Sequence, residues 1–315
     1  MNSIRSELSE LIVGVYRSRD SIPAGLFSIF KTLFTAFAGS AGAEFLATNS
    51  PDFTWTFRCA AIFWTGTRMR ALGNMMHECS HGTFVGNASA NSLFGHFLAA
   101  LDLSSFNDYA RQHTTHHAYL GDPERDLDLR ERFFLLNRNR KWVSIAPLFL
   151  LAASIVPLWI MMLRPVFWAN KAPRWSNYIR VGILSAVTLG LVFSPSRATT
   201  FIYVVLPYLT TYQWMRLISD ACDHIFLTTH SEMLERSRNH LFKIEWLNRL
   251  LFPRNDGYHL LHHLFPSLPT RVFPSAHKQL LTHPWYRERN HYMKFNISRS
   301  KGQLREIDLI QGQSK

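Results

Sequence analysis

Apolar residues in this 315-residue chain are gathered into long stretches almost free of charge, with Arg, Lys and His gathered between them. A soluble domain spreads its charges more evenly, so the segregation predicts a chain that crosses a membrane. Five apolar segments stand out, at about 24–47, 53–76, 143–163, 178–193 and 199–219. A sixth stretch, 92–106, is too short to span a bilayer upright. The turn at 49–52 has no Lys or Arg and the turn at 194–197 has one, which suits the non-cytosolic side. The stretch 125–141 holds Arg125, Arg130, Arg132, Arg138, Arg140 and Lys141, and the C-terminal third is also basic; both suit the cytosol.

The formal charge of +12 fits a positive cytosolic face, which could also attract anionic headgroups or an acidic redox partner. Nucleic acid is excluded as a partner: the basic residues flank apolar spans and no nucleic-acid motif is present. Cys59, Cys79 and Cys222 form no CxxC pair and no disulfide framework, and read as packing residues. The first 19 residues lack a secretory signal. They place Leu8, Leu11, Ile12 and Val15 on one helical face, which predicts an amphipathic helix on the cytosolic membrane surface.

Most of the 15 histidines fall into three clusters. His77 and His81 are four apart, so on a helix they share a face one turn apart. His113, His116 and His117 follow an i, i+3, i+4 pattern, and His259, His262 and His263 repeat it. His224 closes the fifth apolar segment and supplies a ninth imidazole. Nine imidazoles exceed the coordination capacity of one ion, so two metals are implied. All-imidazole shells suit Fe, Zn, Cu or Ni rather than Ca or Mg. Residues 77–81 read HECSH and match in form the HExxH helix of zinc metalloproteases. A single-zinc hydrolase would account for those five residues but leave seven other clustered histidines unused. A metal transporter would need ionisable ligands at mid-membrane depth, whereas these clusters lie at or beyond segment ends.

For the clusters at 77–117 and 224–263 to share a site, the chain between them must cross the membrane an even number of times. Three apolar segments lie between, so one does not span. The choice falls on 143–163, which Pro147 and Pro157 interrupt and which Arg164, Lys171 and Arg174 follow. The expected fold is all-α and integral to the membrane. Four transmembrane helices form two hairpins, 24–76 and 178–219, under a helical cytosolic cap, with both termini cytosolic. The whole of 1–315 reads as one domain: 1–22 the amphipathic segment, 77–142 the first two histidine clusters, 143–163 interfacial, and 220–315 the cytosolic part with the third cluster.

The clusters and their neighbours resemble the membrane fatty acid desaturase and hydroxylase superfamily over roughly 77–277. The resemblance rests on HECSHGTF at 77–84, QHTTHHAYLGDPERDLD at 112–128, RLISDACDH at 216–224 and YHLLHHLFPSLP at 258–269. It implies a mushroom-shaped helical fold and a di-iron centre that uses O2 to attack a C–H bond. It also implies that His77, His81, His113, His116, His117, His224, His259, His262 and His263 are direct ligands. Where family members carry an Asn that reaches the metal through water, four residues before the late His, this chain has Asp220. The leading expectation is an acyl-lipid desaturase. A hydroxylase or ketolase, or a specialised-metabolite desaturase, of the same superfamily comes next, and a zinc-dependent membrane hydrolase is the alternative of a different class.

Carboxylates near the ligands are expected to orient the imidazoles. Glu78, Asp122, Asp126, Asp128, Asp223 and Asp256 are candidates, each of which could equally cap a helix or pair with Arg. Arg216 and Arg111 are expected to pair with such acids. His96 reads as a satisfied buried histidine or a tunnel-lining one; His230, His240, His277, His283 and His291 read as structural or surface residues. There is no Cys-rich ferredoxin motif, no GxGxxG and no cytochrome b5-type HPGG, so electrons are expected from a separate ferredoxin, rubredoxin or cytochrome b5.

Overall fold

Charge segregation becomes helices with apolar flanks and polar ends. The computed structural model describes residues 2–15, 19–122, 124–128, 172–193, 197–224, 227–228, 237–289, 291–292 and 303–304. The proposed interfacial segment 143–163 and most of the basic stretch 125–141 lie outside the described residues. The described regular structure is helical apart from a two-residue antiparallel ladder, Leu227–Thr228 against Gln303–Leu304, and isolated bridges of Asp20 with Val85 and Leu241 with Tyr292.

Helix α1 (Asn2–Leu11) is followed by α2 (Ile22–Asn49) and α3 (Thr54–Ser80), which form an antiparallel hairpin across the tight turn Pro51–Phe53. Ser21 starts α2 by accepting from the Ala24 N–H, with Pro23 in the first turn, where a missing N–H costs nothing. Helix α2 is the one described helix long and apolar enough, by length and composition, to cross a membrane. Helix α3 is nearly as long but carries Arg58, Arg68 and Arg70. Trp64 Nε1 donates to the Thr35 carbonyl (2.8 Å), and Arg58 pairs with Glu44 through two hydrogen bonds (2.7 and 3.1 Å), fixing the register of the hairpin.

Helices α4 (Ala88–Leu101) and α5 (Phe106–Tyr119) follow, then α6 (Arg174–Val192). The fifth apolar segment is not one straight helix. It runs as α7 (Arg197–Thr200), a π turn (Phe201–Val205), α8 (Leu206–Leu209) and α9 (Thr211–His224). Pro207 explains the break: it has no N–H for the carbonyl four residues back, and its ring crowds that carbonyl, so the turn before it widens. Helix α9 lies against α3 at Gly66, where a Cβ would meet the Thr211 side chain at 2.6 Å.

The cap is built from short helices: α10 (Glu245–Leu251), α11 (His259–Leu264), α12 (Phe273–Leu280) and α13 (Pro284–Arg287). Their core is Leu260, Leu261, Leu264, Leu268, Phe273, Ala276, Leu280 and Tyr286, joined by Leu8 and Ile12 from the N-terminal segment. Here the structure corrects the sequence reading. The apolar face splits: Leu11 stays exposed, whereas Leu8 is fully buried and Ile12 nearly so in the protein. Each such side chain contributes ~1.5–3 kcal/mol on burial. The amphipathic pattern is the same whether lipid or protein covers it.

Three of the histidines outside the clusters are buried in this cap. Tyr286 Oη donates to His277 Nδ1 (2.9 Å) and accepts from Asn239 Nδ2 (3.0 Å), and Asn239 Nδ2 also approaches His291 Nδ1 (3.0 Å). His240 is fully buried as well, whereas His283 faces Glu7 at the surface (3.2 Å). Burial pushes the His277 imidazole down to about 4, and neighbouring His291 pushes it the same way. The unfolded chain titrates this group near ~6.5 and so binds its proton first. The stabilising contribution is therefore present above ~6.5 and is lost as pH falls toward 4. Thermal unfolding measured between pH 7.5 and 4.5 should show a shallower loss of Tm for His277→Gln than for the unsubstituted protein. An identical slope would assign the acid loss to other groups.

Candidate metal centre

Each histidine cluster sits at the end of a helix, on a turn whose geometry is fixed locally. His77 lies in the last turn of α3 and His81 is its C-cap residue. Gly82 then takes φ +65°, with Thr83 N–H on the Glu78 carbonyl (2.9 Å) and Gly82 N–H on the Cys79 carbonyl (3.0 Å). This pair of bonds is a Schellman cap, and its left-handed residue is why a glycine follows the second histidine. Helix α5 starts at Ser105, whose side chain accepts the Asp108 N–H, and carries His113, His116 and His117 in its last two turns. His224 ends α9, and α11 carries His259, His262 and His263.

Nine imidazoles converge into two groups, each with its ligand atoms within 4.8 Å of one another. The first is His77, His81, His113, His117 and His262; the second is His116, His224, His259 and His263. The partition follows from helix geometry. In each HxxHH, the i and i+4 members point to one group and the i+3 member to the other. Box two sends His113 and His117 to the first group and His116 to the second. Box three sends His259 and His263 to the second and His262 to the first. The two groups meet where the His117 and His263 rings stack, with centroids 4.3 Å apart.

The Nε2 atoms face one another. In the first group, His77 is 2.8 Å from His113 and 3.0 Å from His262, and His117 is 2.8 Å from His262. In the second, His224 is 3.1 Å from His116 and 2.9 Å from His259. On the far side of its ring, His116 donates from Nδ1 to Asp126 (3.1 Å), and His259 Nδ1 lies 3.3 Å from Asp223. With Nδ1 occupied, Nε2 presents its lone pair inward. Burial, reinforced by neighbouring imidazoles, holds His77, His113, His259, His262 and His263 well below the usual histidine range; burial also lowers His81 to about 4 and His117 to about 2. Imidazole nitrogens converging five and four at a time, within 4.8 Å of one another and buried, fit a metal centre. At metal–nitrogen lengths of ~2.0–2.1 Å, neighbouring nitrogens are ~2.9 Å apart at right angles and ~3.4 Å apart in a tetrahedron. The observed spacings match the right-angled shell, and five imidazoles exceed the four of a tetrahedral zinc site.

Of the candidate orienting acids, Asp126 and Asp223 take that position, and both are buried. Asp126 also accepts the Gly121 N–H at the end of α5 (3.1 Å), so one carboxylate finishes the helix and holds its histidine. Asp128 is farther from His116 Nδ1, at 3.7 Å. The other candidates do different work. Asp122 caps the turn at Glu124 and pairs with Arg125 (2.7 Å). Asp256 pairs with Arg70 (2.6 Å) and accepts from Ser219 (2.9 Å). Glu78 is 2% exposed and both its oxygens are taken by Arg254 (2.6 and 2.8 Å), so the Glu of the HExxH pattern is not free to act as a metalloprotease base. Arg111 pairs with Asp108 on the surface (3.7 Å), and Arg216 lies over the Tyr212 ring, whose hydroxyl donates to Asp102 (2.7 Å). His96 is buried between α4 and α6, edge-on to Phe106 and Trp175, away from both groups. Asp220 lies on α9 one turn before His224, with its side chain outside the described ones.

Sequence reasoning missed two residues here. His240 Nδ1 is 2.9 Å from Asp223, which therefore stands between two imidazoles. Arg5 of α1 donates from Nε to the Leu264 carbonyl (2.8 Å) and from Nη2 to the His263 carbonyl (3.0 Å), closing the C-terminal end of α11. No spacing connects Arg5 to a helix more than 250 residues away.

The sequence pattern of the fatty acid desaturase family matches residues 53–295. The chain is 27% identical over 269 residues to a dihydrorhizobitoxine desaturase of Bradyrhizobium elkanii, covering 74% of this chain and 70% of that one. It is 26% identical over 257 residues to an endoplasmic reticulum omega-3 fatty acid desaturase of Vigna radiata var. radiata, covering 71% and 65%. It is 28% identical over 251 residues to an acyl-lipid omega-3 desaturase (cytochrome b5) of Arabidopsis thaliana, covering 69% and 61%. The chain thus spans less than two thirds of the length of the last two.

Replacing Asp126 by Asn keeps the shape but removes the charge that holds His116 in its Nδ1–H form. Metal affinity of the second group should fall by ~10–100-fold, read by competition with a chelator during metal titration. Unchanged affinity would mean that Asp126 only finishes α5.

Proposed function

The chain belongs to the fatty acid desaturase family, and from that premise we propose that it is an O2-dependent membrane oxidoreductase that introduces a C=C bond into the acyl chain of a lipid. The observation that carries the proposal is the pair of interleaved imidazole groups, five and four strong. The nine histidines would hold two iron ions, His77, His81, His113, His117 and His262 on one and His116, His224, His259 and His263 on the other. When bound, the iron pair supplies the O2 activation needed to take hydrogen from an unactivated carbon. The protein's own part is to bring the imidazoles together in a buried site, to orient His116 and His259 through Asp126 and Asp223, and to hold the short helix α11 in place. The second group has one imidazole fewer, and Asp220, one turn before His224, is the residue proposed to complete it, directly or through water.

A multi-pass membrane topology is part of the same reading. Support comes from apolar side chains left on the outside of the long helices: Phe27, Phe30, Phe34 and Phe37 on α2, and Val181 and Leu189 on α6. In this reading α2 with α3, and α6 with the broken helix α7–α9, form the two spanning hairpins. The positive-inside pattern of the sequence supports termini and metal centre on the cytosolic side. The similarity to the dihydrorhizobitoxine desaturase favours, as a second reading, a specialised metabolite as substrate. Electrons would come from a separate ferredoxin, rubredoxin or cytochrome b5; the name of the Arabidopsis relative specifies cytochrome b5.

Purified protein should contain close to two irons per chain. Aerobic expression followed by mass spectrometry of lipids and small metabolites should reveal a product two mass units lighter than its precursor. A product sixteen units heavier would make the chain a hydroxylase, and zinc alone with hydrolysis and no O2 uptake would overturn the oxidative reading. His262→Ala, which removes one of five imidazoles, should reduce turnover more than ~100-fold while leaving helicity unchanged; retained turnover at full iron content would remove His262 from the ligand set. Turnover with a purified acidic donor should fall as ionic strength rises, because the chain carries a formal charge of +12. A salt-independent rate would rule out electrostatic docking.

A further inference from the structure

The stretch leading into α11 is fastened to a single stripe of α3. Arg70, Asn74 and Glu78 follow one another at four-residue steps, on one helical face. Arg70 donates from Nη2 and Nε to Asp256 Oδ2 (2.6 and 3.2 Å). Asn74 Nδ2 donates to the Pro253 carbonyl (2.7 Å). Arg254 donates from Nε and Nη2 to the two oxygens of Glu78 (2.6 and 2.8 Å), in the bidentate geometry that fixes direction as well as distance. Glu78 sits between His77 and His81, and Arg254 lies five residues before His259.

The backbone at this contact is unusual in its own right. Arg254 and Asn255 are consecutive non-glycine residues in the left-handed region, at φ +66° and +62°. Such a conformation persists only where the surroundings over-determine it. Here both side chains are anchored, Arg254 on Glu78 and Asn255 on the Thr270 carbonyl (2.9 Å).

We propose that Arg254 and Glu78 are a positioning pair that sets α11 against α3 and so assembles the five-imidazole group in particular. That group takes ligand atoms from both sides of the contact: His77 and His81 from α3 and His262 from α11, with the His77 and His262 Nε2 atoms 3.0 Å apart. The four-imidazole group takes none from α3; its members come from α5, α9 and α11. Loosening α3 from α11 therefore disturbs the five-imidazole group on both sides of the contact, and reaches the other group only through His259 and His263 on α11. Asp256 is less selective, because it also accepts from Ser219 on α9. The inference rests on the reading of two metals held by nine histidines.

The test uses the full chain, loaded with iron, with iron content and Mössbauer spectra read alongside thermal unfolding. Arg254→Lys keeps the charge but loses the second parallel hydrogen bond. It should fold normally and bind iron at the five-imidazole group ~10-fold more weakly, with a smaller effect on the other group. The double substitution Glu78→Met with Arg254→Met removes both buried charges together, so it should unfold at a higher temperature than either single change. It should nevertheless hold close to one iron instead of two, with one Mössbauer component lost. A double variant that loads two irons with the unsubstituted spectrum would overturn the proposal, and so would equal weakening of both groups in Arg254→Lys. If the unsubstituted protein itself holds fewer than two irons, the two-metal reading fails first and this inference falls with it.

Discussion

The crowding of neutral imidazoles constrains everything else in this protein. Nine rings turn their Nε2 atoms toward two points, a convergence that a bound cation would satisfy. Burial favours the neutral form of His77, His81, His113, His117, His259, His262 and His263, since each protonated ring would add a positive charge among its neighbours. Among the described side chains, the acids nearest the rings lie on the outer, Nδ1 side or are tied to arginines. Asp126 and Asp223 orient rings without competing for the metal positions, and Glu78 and Asp256 are held by Arg254 and Arg70.

A regular helix offers only a few ways to aim side chains at two nearby points. Residues four apart lie over one another, and the residue at i+3 is rotated to the side. An HxxHH segment therefore feeds two sites from one helix end, and two such segments facing each other can cross-connect them. This makes His117 and His263, which stack across the boundary, the place where the two groups are mechanically joined. Close spacing of the groups follows from adjacent residues, His116 beside His117 and His262 beside His263, belonging to different groups.

Much of this was legible in the sequence because it is local. The boxes, their helical spacing, the number of imidazoles and the glycine after the first box all depend on neighbours a few residues away. The long helices were legible too, from their apolar length, although Pro207 splits the fifth into pieces that hydropathy alone does not show. What stayed hidden is what depends on long-range pairing. Six acids stood close enough in sequence to orient an imidazole, and only the fold separates Asp126 and Asp223 from Asp122, Glu78 and Asp256. The amphipathic face of α1 was plain, yet its pattern cannot distinguish a bilayer from the cap core that Leu8 and Ile12 enter.

The weakest link in such a centre is also the most informative. Helix α11 supplies three of the nine imidazoles but spans only six residues, too few to be stable alone. Its order must come from outside. Leu260, Leu261 and Leu264 are buried beneath it, and Arg5 closes its C-terminal carbonyls. Asn239 accepts the Leu261 N–H (3.3 Å), and the turn before the helix is fastened to α3. These supports come from the first helix, the region before α10 and the α3 hairpin, so the metal centre tests whether distant parts of the chain are correctly assembled. A helix this short takes its position from those supports, so the placement of three of the nine imidazoles depends on the completed fold.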